Sequence, residues 1–309
     1  MDVVVAGQIA RDLVVRVPEL PSPGTAATVG RRQETLGGKG ANIAVGLAQL
    51  GAAVGLVGVV GDDPVADDLL DRAGADGIDT RCVVRRSGTL TGLIVELLTE
   101  DGRWRYLEDL PEPVLLTEDD VLAAAPALSA ASSVVVQLQQ PSGAALAAAR
   151  TAKAAGRRVV LDGAPADDAR RSELLAAADV LRVDQKEGEL LTGHRLDSAD
   201  VALRAGRELL GRGPSLVALE AGEDGNVFVW EDDQLVLPLT GGSPVDTTGG
   251  GDALVAGLTF ALTRGDAPPK AAALAVAASG ATVARPGGRP DLGAGQLTPH
   301  LAELRGAMT

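Results

Sequence analysis

The sequence predicts an α/β fold, with a mostly parallel central sheet, helices on both of its faces and a small separate β-sheet acting as a lid. Three observations predict it. Short β-branched runs alternate with Ala/Leu-rich helical stretches, the rhythm of parallel strands joined by crossover helices. The strand candidates are apolar at successive positions, as burial between two helix layers requires. Two more polar regions break the rhythm and read as strands joined by turns.

In chain order, the central strands are expected at Val3 to Ala6, Val54 to Val60, Val134 to Leu138, Val159 to Leu161, Val180 to Val183 and Leu216 to Leu219. Helices are expected at Ala41 to Leu50, Ser142 to Ala155, Ala199 to Leu210 and Ala253 to Leu262. The last is apolar almost all round, which predicts a buried helix. The lid strands are expected at Asp12 to Val17, Thr25 to Arg32, Thr91 to Leu98 and Arg103 to Leu107, with Asp101-Gly102 as a hairpin turn. They could equally be edge strands of the main sheet. Glu118-Asp119-Asp120 after Thr117 reads as a helix start, and Glu231-Asp232-Asp233 as a solvated turn. One main unit spanning 1–309 with the lid inserted at about 12–32 and 91–107 is the expected organisation.

A formal net charge of −14 repels a polyanion over most of the surface, which argues against nucleic-acid binding. Cys82 is the only cysteine, so no intrachain disulfide and no thiolate-rich metal site can form. With no basic leader before Val3 and no long apolar run, a cytoplasmic setting away from membranes is expected. The same missing leader argues against a periplasmic sugar-binding protein of similar α/β rhythm.

The strongest local signal is Asp246-Thr-Thr-Gly-Gly-Gly-Asp252, followed at once by the apolar helix. Gly249, Gly250 and Gly251 remove every Cβ where the chain meets the helix and leave first-turn N–H groups free to bind an anion. In phosphoryl transfer, charge develops on the equatorial oxygens of the moving group, and such donors stabilise it. Asp252, at the mouth of the same helix, can accept the proton of an attacking hydroxyl. The alternative is an aspartate that only caps the helix. A second motif, Gly37-Gly38-Lys39-Gly40-Ala41-Asn42, also leads into a helix and offers Lys39 and Asn42 as hydrogen-bonding groups for a polyhydroxylated ligand. It could also be no more than a loop before a helix. It lacks the Gly-Lys-Ser/Thr ending of a Walker loop, and neither cluster fits GxGxxG.

Taken together and in this order, the two motifs resemble the ribokinase-like carbohydrate kinases, the PfkB family, over nearly the whole chain. Gly7 and Asp12 near the N-terminus and Gly61-Asp62-Asp63 after the second strand belong to the same pattern. The resemblance implies a ribokinase-like three-layer α-β-α fold with a β-sheet lid, and in-line transfer of the ATP γ-phosphoryl group to a sugar hydroxyl. It implies Asp252 as the base, Gly249, Gly250 and Gly251 as the anion hole, and Asp12, Gly38, Lys39 and Asn42 as sugar contacts. On the nucleotide side it implies Asp184 and Glu187, the latter organising magnesium through water, together with Glu220, Gly222 and Gly225. A monovalent-cation site, with potassium as activator, is implied at Asp246, Thr248, Thr282, Arg285, Gly287 and Asp291. A homodimer through the lid is a further implication.

Several positions depart from the family pattern. Gly250 stands where alanine is more usual, Asp184 where asparagine is, and Glu220 where a small hydroxyl residue is. An extra carboxylate beside polyphosphate should weaken ATP binding unless a metal or arginine offsets it. Ala10 replaces an asparagine, and Gln139 a glutamate that resembles a ribose contact, which puts ribose itself in doubt. A ribose-like free sugar still stands first as acceptor, then a phosphosugar of the fructose 6-phosphate type, then a nucleoside. A catalytically weak sugar- or nucleotide-binding protein is the reading from another class. Arg11, Arg31, Arg32, Arg103 and Arg105 flank or lie in the lid strands and could meet a substrate phosphate or simply face solvent. Trp104 and Tyr106 share a face that could stack on a sugar or base, or form a lid dimer interface.

Overall fold

The computed structural model describes residues 1–101 and 103–307. In chain order its strands are β1 Val3–Ala6, β2 Ala10–Val17, β3 Arg31–Gly37, β4 Val54–Gly61, β5 Asp79–Arg86, β6 Leu93–Thr99, β7 Trp104–Asp109, β8 Ser133–Gln137, β9 Arg158–Asp162, β10 Val180–Val183, β11 Leu216–Glu220, β12 Asn226–Trp230 and β13 Asp233–Leu237. The helices are α1 Lys39–Gln49, α2 Pro64–Ala75, α3 Glu118–Ala123, α4 Ala125–Ala130, α5 Ser142–Ala154, α6 Arg171–Ala177, α7 Gln185–Thr192, α8 Ala199–Leu210, α9 Gly250–Thr263, α10 Pro268–Val283 and α11 Ala294–Leu304.

The main sheet runs β13-β12-β11-β10-β9-β8-β1-β4-β5. It is parallel from β5 to β11 and ends in an antiparallel hairpin, β12–β13, whose turn carries the acidic run at 231–233. Strands β1, β4 and β8 are buried at every position, which is why they read as unbroken apolar runs. One face packs against α1, α2, α9, α10 and α11 through Ile43, Leu69, Leu258, Val276 and Leu297. The other packs against α3 to α8 through Val121, Leu128, Ala149, Leu174, Leu191 and Leu209. The result is the three-layer arrangement expected. Helix α9 is buried along nearly its whole length, so its lack of a polar face has a structural cause. Thr117 and Asp120 close a capping box at the start of α3, as the acidic run there predicted.

The polar regions form a separate four-strand sheet ordered β3-β2-β6-β7, so the lid and not the edge-strand reading holds. One lid strand is displaced from its expected place. It spans Arg31–Gly37 and not residues 25–32, because Ala10 pairs with Gly37 and Arg16 with Arg31 in the antiparallel β2–β3 ladder. Residues 18–30 form the exposed connection, closed where the Gly30 amide donates to Arg16 O. The β6–β7 ladder pairs Leu98 with Trp104, and Gly102 of the expected turn lies outside the described residues. Among the described residues, no helix is long and apolar enough to cross a membrane.

Leu161 on β9 is fully buried in the helix layer of α5 and α6. Leu161→Ala should lower unfolding free energy by about 2–5 kcal/mol, because a cavity remains beyond the lost transfer term. Urea denaturation reads this directly, and a loss below about 1 kcal/mol would contradict the packing described.

Candidate active site

In an open parallel sheet, ligands sit beyond the carboxyl ends of the strands. Here those ends carry Gln8 after β1, Gln139 after β8, Asp162 at the end of β9, Asp184 after β10 and Glu220 at the end of β11. Between that edge and the lid lies a cleft of about 500 Å³, lined among others by Asp12, Lys39, Asn42, Arg182, Gly251 and Asp252. Both glycine motifs open into it. A second hollow of about 480 Å³ near Met1, Cys82 and Ala127 is walled mainly by apolar side chains and touches neither motif.

The heptapeptide turns sharply into α9. Gly249 has φ 71°, and a Cβ there would fall 1.8 Å from the Gly288 carbonyl oxygen. The amides of Gly251 and Asp252 lie in the first helical turn, where no intrahelical acceptor reaches them. Asp252 is buried, and Asn42 Nδ2 donates to its Oδ2 at 3.0 Å, joining α1 to α9. Burial raises the Asp252 pKa to about 6, with Lys39, the Asn42 hydrogen bond and Arg182 pulling it down and Asp162 pushing it up. Burial also works against the charge on Lys39, but Asp162, Asp252 and Glu187 outweigh it and raise that pKa.

Arg182 was not singled out in the sequence. It is the penultimate residue of β10, and its Nη1 donates to Asp162 Oδ1 at 3.2 Å. A Cβ at position 251 would come within 2.5–2.8 Å of the guanidinium, so that glycine is required by what lies beneath it as well as by the anion hole. Burial opposes the Arg182 charge, and Asp162, Glu187, Glu220 and Asp184 overcome it. The cleft floor therefore holds two fixed cations, Lys39 and Arg182, beside a buried carboxylate and free helix amides. Such a set can orient a hydroxyl, take its proton and neutralise a transferring anion.

The acceptor side is built from the lid and the strand edge. Asp12 lies on β2 opposite Thr35, and its carboxyl group leans over Gly37, two residues further along β3, where a Cβ would overlap it. Burial and then the charge of Asp252 raise the Asp12 pKa to about 7 against the Gly38 amide, which lowers it. Gly38 itself has φ 83°. Glu96 on β6, absent from the sequence-based set, points into the same cleft. Trp104 and Tyr106 pack with ring centroids 4.7 Å apart and line the cleft. Tyr106 Oη hydrogen-bonds Thr248 Oγ1, tying the lid to the glycine-rich turn. None of the five lid arginines lines the cleft: Arg11 and Arg32 pair with Glu34, Arg103 with Asp101, and Arg31 and Arg105 are exposed.

With this geometry, comparison with known proteins is direct. Residues 1–293 match the family model for pfkB family carbohydrate kinases. The chain belongs to the PfkB family of carbohydrate kinases. It is thus a phosphotransferase with an alcohol acceptor. It is 27% identical to a ribokinase of Haemophilus influenzae over 299 residues, 97% of each chain. It is 28% identical to a deoxyribokinase of Salmonella typhi over 255 residues, 82% of this chain and 83% of the other. Among solved structures, Arabidopsis thaliana ribokinase complexed with ribose and ATP superposes with a TM-score of 0.81 at 25% identity, covering 97% of this chain and 98% of that one.

In this carbohydrate kinase the departures from family pattern acquire physical reasons. At Gly250 a Cβ would stand 2.7 Å from Val283 Cγ1, so the tight packing of α9 on α10 favours glycine over alanine. Asp184 caps α7, its Oδ1 accepting the Glu187 amide at 2.8 Å while Glu187 Oε2 accepts the Asp184 amide at 2.9 Å. A carboxylate serves that capping box as well as an amide does. Glu220 lines the cleft, and its charge falls on Arg182, which supplies the offsetting arginine. Gly222 and Gly225 shape the β11–β12 turn at φ 57° and 96° and do not line the cleft. Glu187 also lies off the cleft wall, and burial raises its pKa.

Asp246 clasps two segments, its Oδ1 accepting the Thr248 amide at 2.9 Å and its Oδ2 the Gly287 amide at 2.7 Å. Thr282 lies buried on α10, its hydroxyl donating to the Ala278 carbonyl. Asp291 is ion-paired with Arg285 and half-exposed.

An acid whose folded pKa exceeds its unfolded value stabilises the fold fully below the unfolded pKa and loses that contribution as pH rises through the folded one. For Asp252 the window runs from about 4 to about 6. Asp252→Asn should therefore match the parent at pH 4 and exceed its stability at pH 8 by up to about 3 kcal/mol. Denaturant titrations at the two pH values check this; an equal difference at both would mean that the carboxylate is not buried as described.

Proposed function

We propose that the protein transfers the γ-phosphoryl group of ATP to a hydroxyl of a free sugar, with Asp252 as the base. One observation carries this reading. Asp252, a buried carboxylate of raised pKa, lies at the first turn of α9 beside free amides, inside a cleft that also holds Lys39 and Asn42. Asp252 takes the hydroxyl proton as that oxygen bonds to the γ-phosphorus and the bond from phosphorus to the β,γ-bridging oxygen breaks, releasing ADP. The Gly251 and Asp252 amides and Arg182 receive the charge growing on the phosphoryl oxygens. Asn42 holds the carboxylate in place. Tyr106, bonded to the catalytic turn, closes the lid and excludes water, which would otherwise compete with the sugar.

The relatives named as ribokinase and deoxyribokinase, and the Arabidopsis complex with ribose and ATP, support sugar and ATP as the two substrates. A phosphosugar loses ground because the lid arginines are committed to carboxylates or exposed outside the cleft. The intact base and anion hole, with Arg182 opposite Glu220, support turnover over mere binding.

Magnesium suits the donors available: it keeps several waters and needs only one or two carboxylates beside substrate phosphates. Glu187, with Oε2 in the capping box and Oε1 near Gly163, would serve it through water. No group of three or more His, Cys, Asp or Glu side chains among the described residues forms a dedicated cage. Bound there, magnesium would neutralise phosphate charge. Potassium activation is supported by hard oxygen donors on the two segments that Asp246 joins, Asp246 and Thr248 on one and the Thr282, Arg285 and Gly287 backbone with Asp291 on the other. Homodimerisation through the lid is supported by Leu107, exposed on the face of β7 turned away from the cleft. A cytoplasmic location fits substrates of this kind.

Asp252→Asn should lower turnover by roughly 10²- to 10⁴-fold, the usual range for a positioned base. The parent's kcat/KM for the sugar should fall about tenfold per pH unit below about 6 and level off above it, because the base must be ionised. ATP-consumption assays across sugars, with and without potassium, supply the substrate for both measurements. Near-parental turnover in the variant would reduce Asp252 to a helix cap.

A further inference from the structure

Helices α1 and α2 end in side chains that grip one distant loop. Asp76 follows α2 at its C-terminus, where a carboxylate opposes the helix dipole, so the helix itself gives no reason for it. Arg289 supplies the reason: its Nη2 donates to both carboxylate oxygens at 2.7 Å, from a position 213 residues away. Gln49, the last residue of α1, accepts the Leu292 amide on Oε1 and donates through Nε2 to the Pro290 carbonyl, both at 2.9 Å. Gly46, one turn earlier, lets the loop approach, since a Cβ there would stand 3.3 Å from Leu292 Cδ1. None of Gln49, Asp76 and Arg289 lines the cleft.

The gripped residues end the loop that supports the catalytic turn. The Gly287 amide donates to Asp246 Oδ2, and Asp246 Oδ1 accepts the Thr248 amide. Gly288, at φ 64°, sets its carbonyl oxygen where a Cβ on Gly249 would stand 1.8 Å away, and a Cβ of its own would fall 2.4 Å from Thr248 Cγ2. The Arg289 amide donates to the Gly287 carbonyl at 2.7 Å, so the anchored residue is tied to the one that meets Asp246. No helix or strand lies between α10 and α11. The loop therefore keeps its place only through these contacts, and close packing passes any displacement on to Gly249.

We infer that Asp76, Arg289 and Gln49 are positioning residues, a clamp that presses the loop against the glycine-rich turn and so fixes the Gly251 and Asp252 amides for the moving phosphoryl group. The inference rests on the transfer chemistry proposed above and extends it to side chains outside the cleft. Those amides meet charge that develops only in the transition state. Loosening the clamp therefore lowers kcat and leaves the KM values of sugar and ATP nearly unchanged. A misplacement of about 1 Å far from the chemistry can cost about 10²-fold.

The test compares the full-length parent with Asp76→Ala, Arg289→Ala, the double variant and Gln49→Ala, using ATP and the sugar that the parent phosphorylates best. Each single variant should lose about ten- to hundredfold in kcat, with both KM values within about threefold of the parent. The double variant should be no slower than the slower single one, because the two alanines remove the same contact. Asp71→Asn, an exposed change on the same helix, should keep kcat within about twofold. In ¹⁵N-labelled protein without substrates, the Gly249, Gly250 and Gly251 amide resonances should move in Asp76→Ala. Those of Gly156 and Gly193, just beyond α5 and α7, should stay in place. A kcat within about twofold of the parent, losses that multiply in the double variant, a raised KM with kcat kept, or unmoved glycine resonances would overturn the inference and leave the kinase reading intact. A parent that phosphorylates no sugar would overturn the kinase reading, and the resonances would then decide the clamp by themselves. Should the Asp76 or Arg289 variants fail to fold, Gln49→Ala decides by the same kinetic and resonance readings.

Discussion

The organisation of the molecule turns on one constraint: a carboxylate must be held away from water at the start of a helix and still be able to ionise near neutral pH. Burial alone would keep Asp252 protonated. Lys39 and Arg182 counter that tendency, and each must itself be charge-balanced, which accounts for Asp162 under Arg182 and for the carboxylates around Lys39. The glycines follow from the same packing. Position 251 leaves room for the guanidinium, position 249 for the Gly288 carbonyl, and position 37 for the Asp12 carboxyl group.

The sheet serves this cluster by bringing distant segments to one edge. Asn42 and Asp252 are separated by 210 residues and meet because α1 and α9 lie side by side on the same face. Arg182 and Asp162 meet because β9 and β10 are paired neighbours. The lid then adds what the edge cannot, a second wall carrying Asp12, Glu96, Trp104 and Tyr106, latched to the catalytic turn through Thr248. In the proposed reaction, catalysis and acceptor recognition are thus divided between the two sheets.

Much of this was legible in the sequence where local chemistry is strong. Two-faced apolar runs gave most parallel strands, because burial on both sides leaves no polar position to obscure them. The glycine-rich motifs announced Asp252, Lys39 and Asn42, since tight turns and free amides need glycine. What escaped was set by distant partners. Arg182 looked like one arginine among many, and only the β9–β10 pairing puts it beneath Gly251. Glu96 sat within Leu93–Thr99, where the sequence predicts a strand but not which face meets a ligand. The strand Arg31–Gly37 was misplaced because its mixed polar sequence carries little periodicity and its ends are fixed by pairing with β2.

The central claim concerns the ionisation of a single side chain, and ¹³C-carboxyl NMR can observe it. Aspartate-labelled protein, with the Asp252 resonance assigned by its loss in the asparagine variant, would be titrated without substrates. The account requires a midpoint near 6, coinciding with the acid limb of the rate profile. A midpoint near 4, as for a solvent-exposed aspartate, would contradict it.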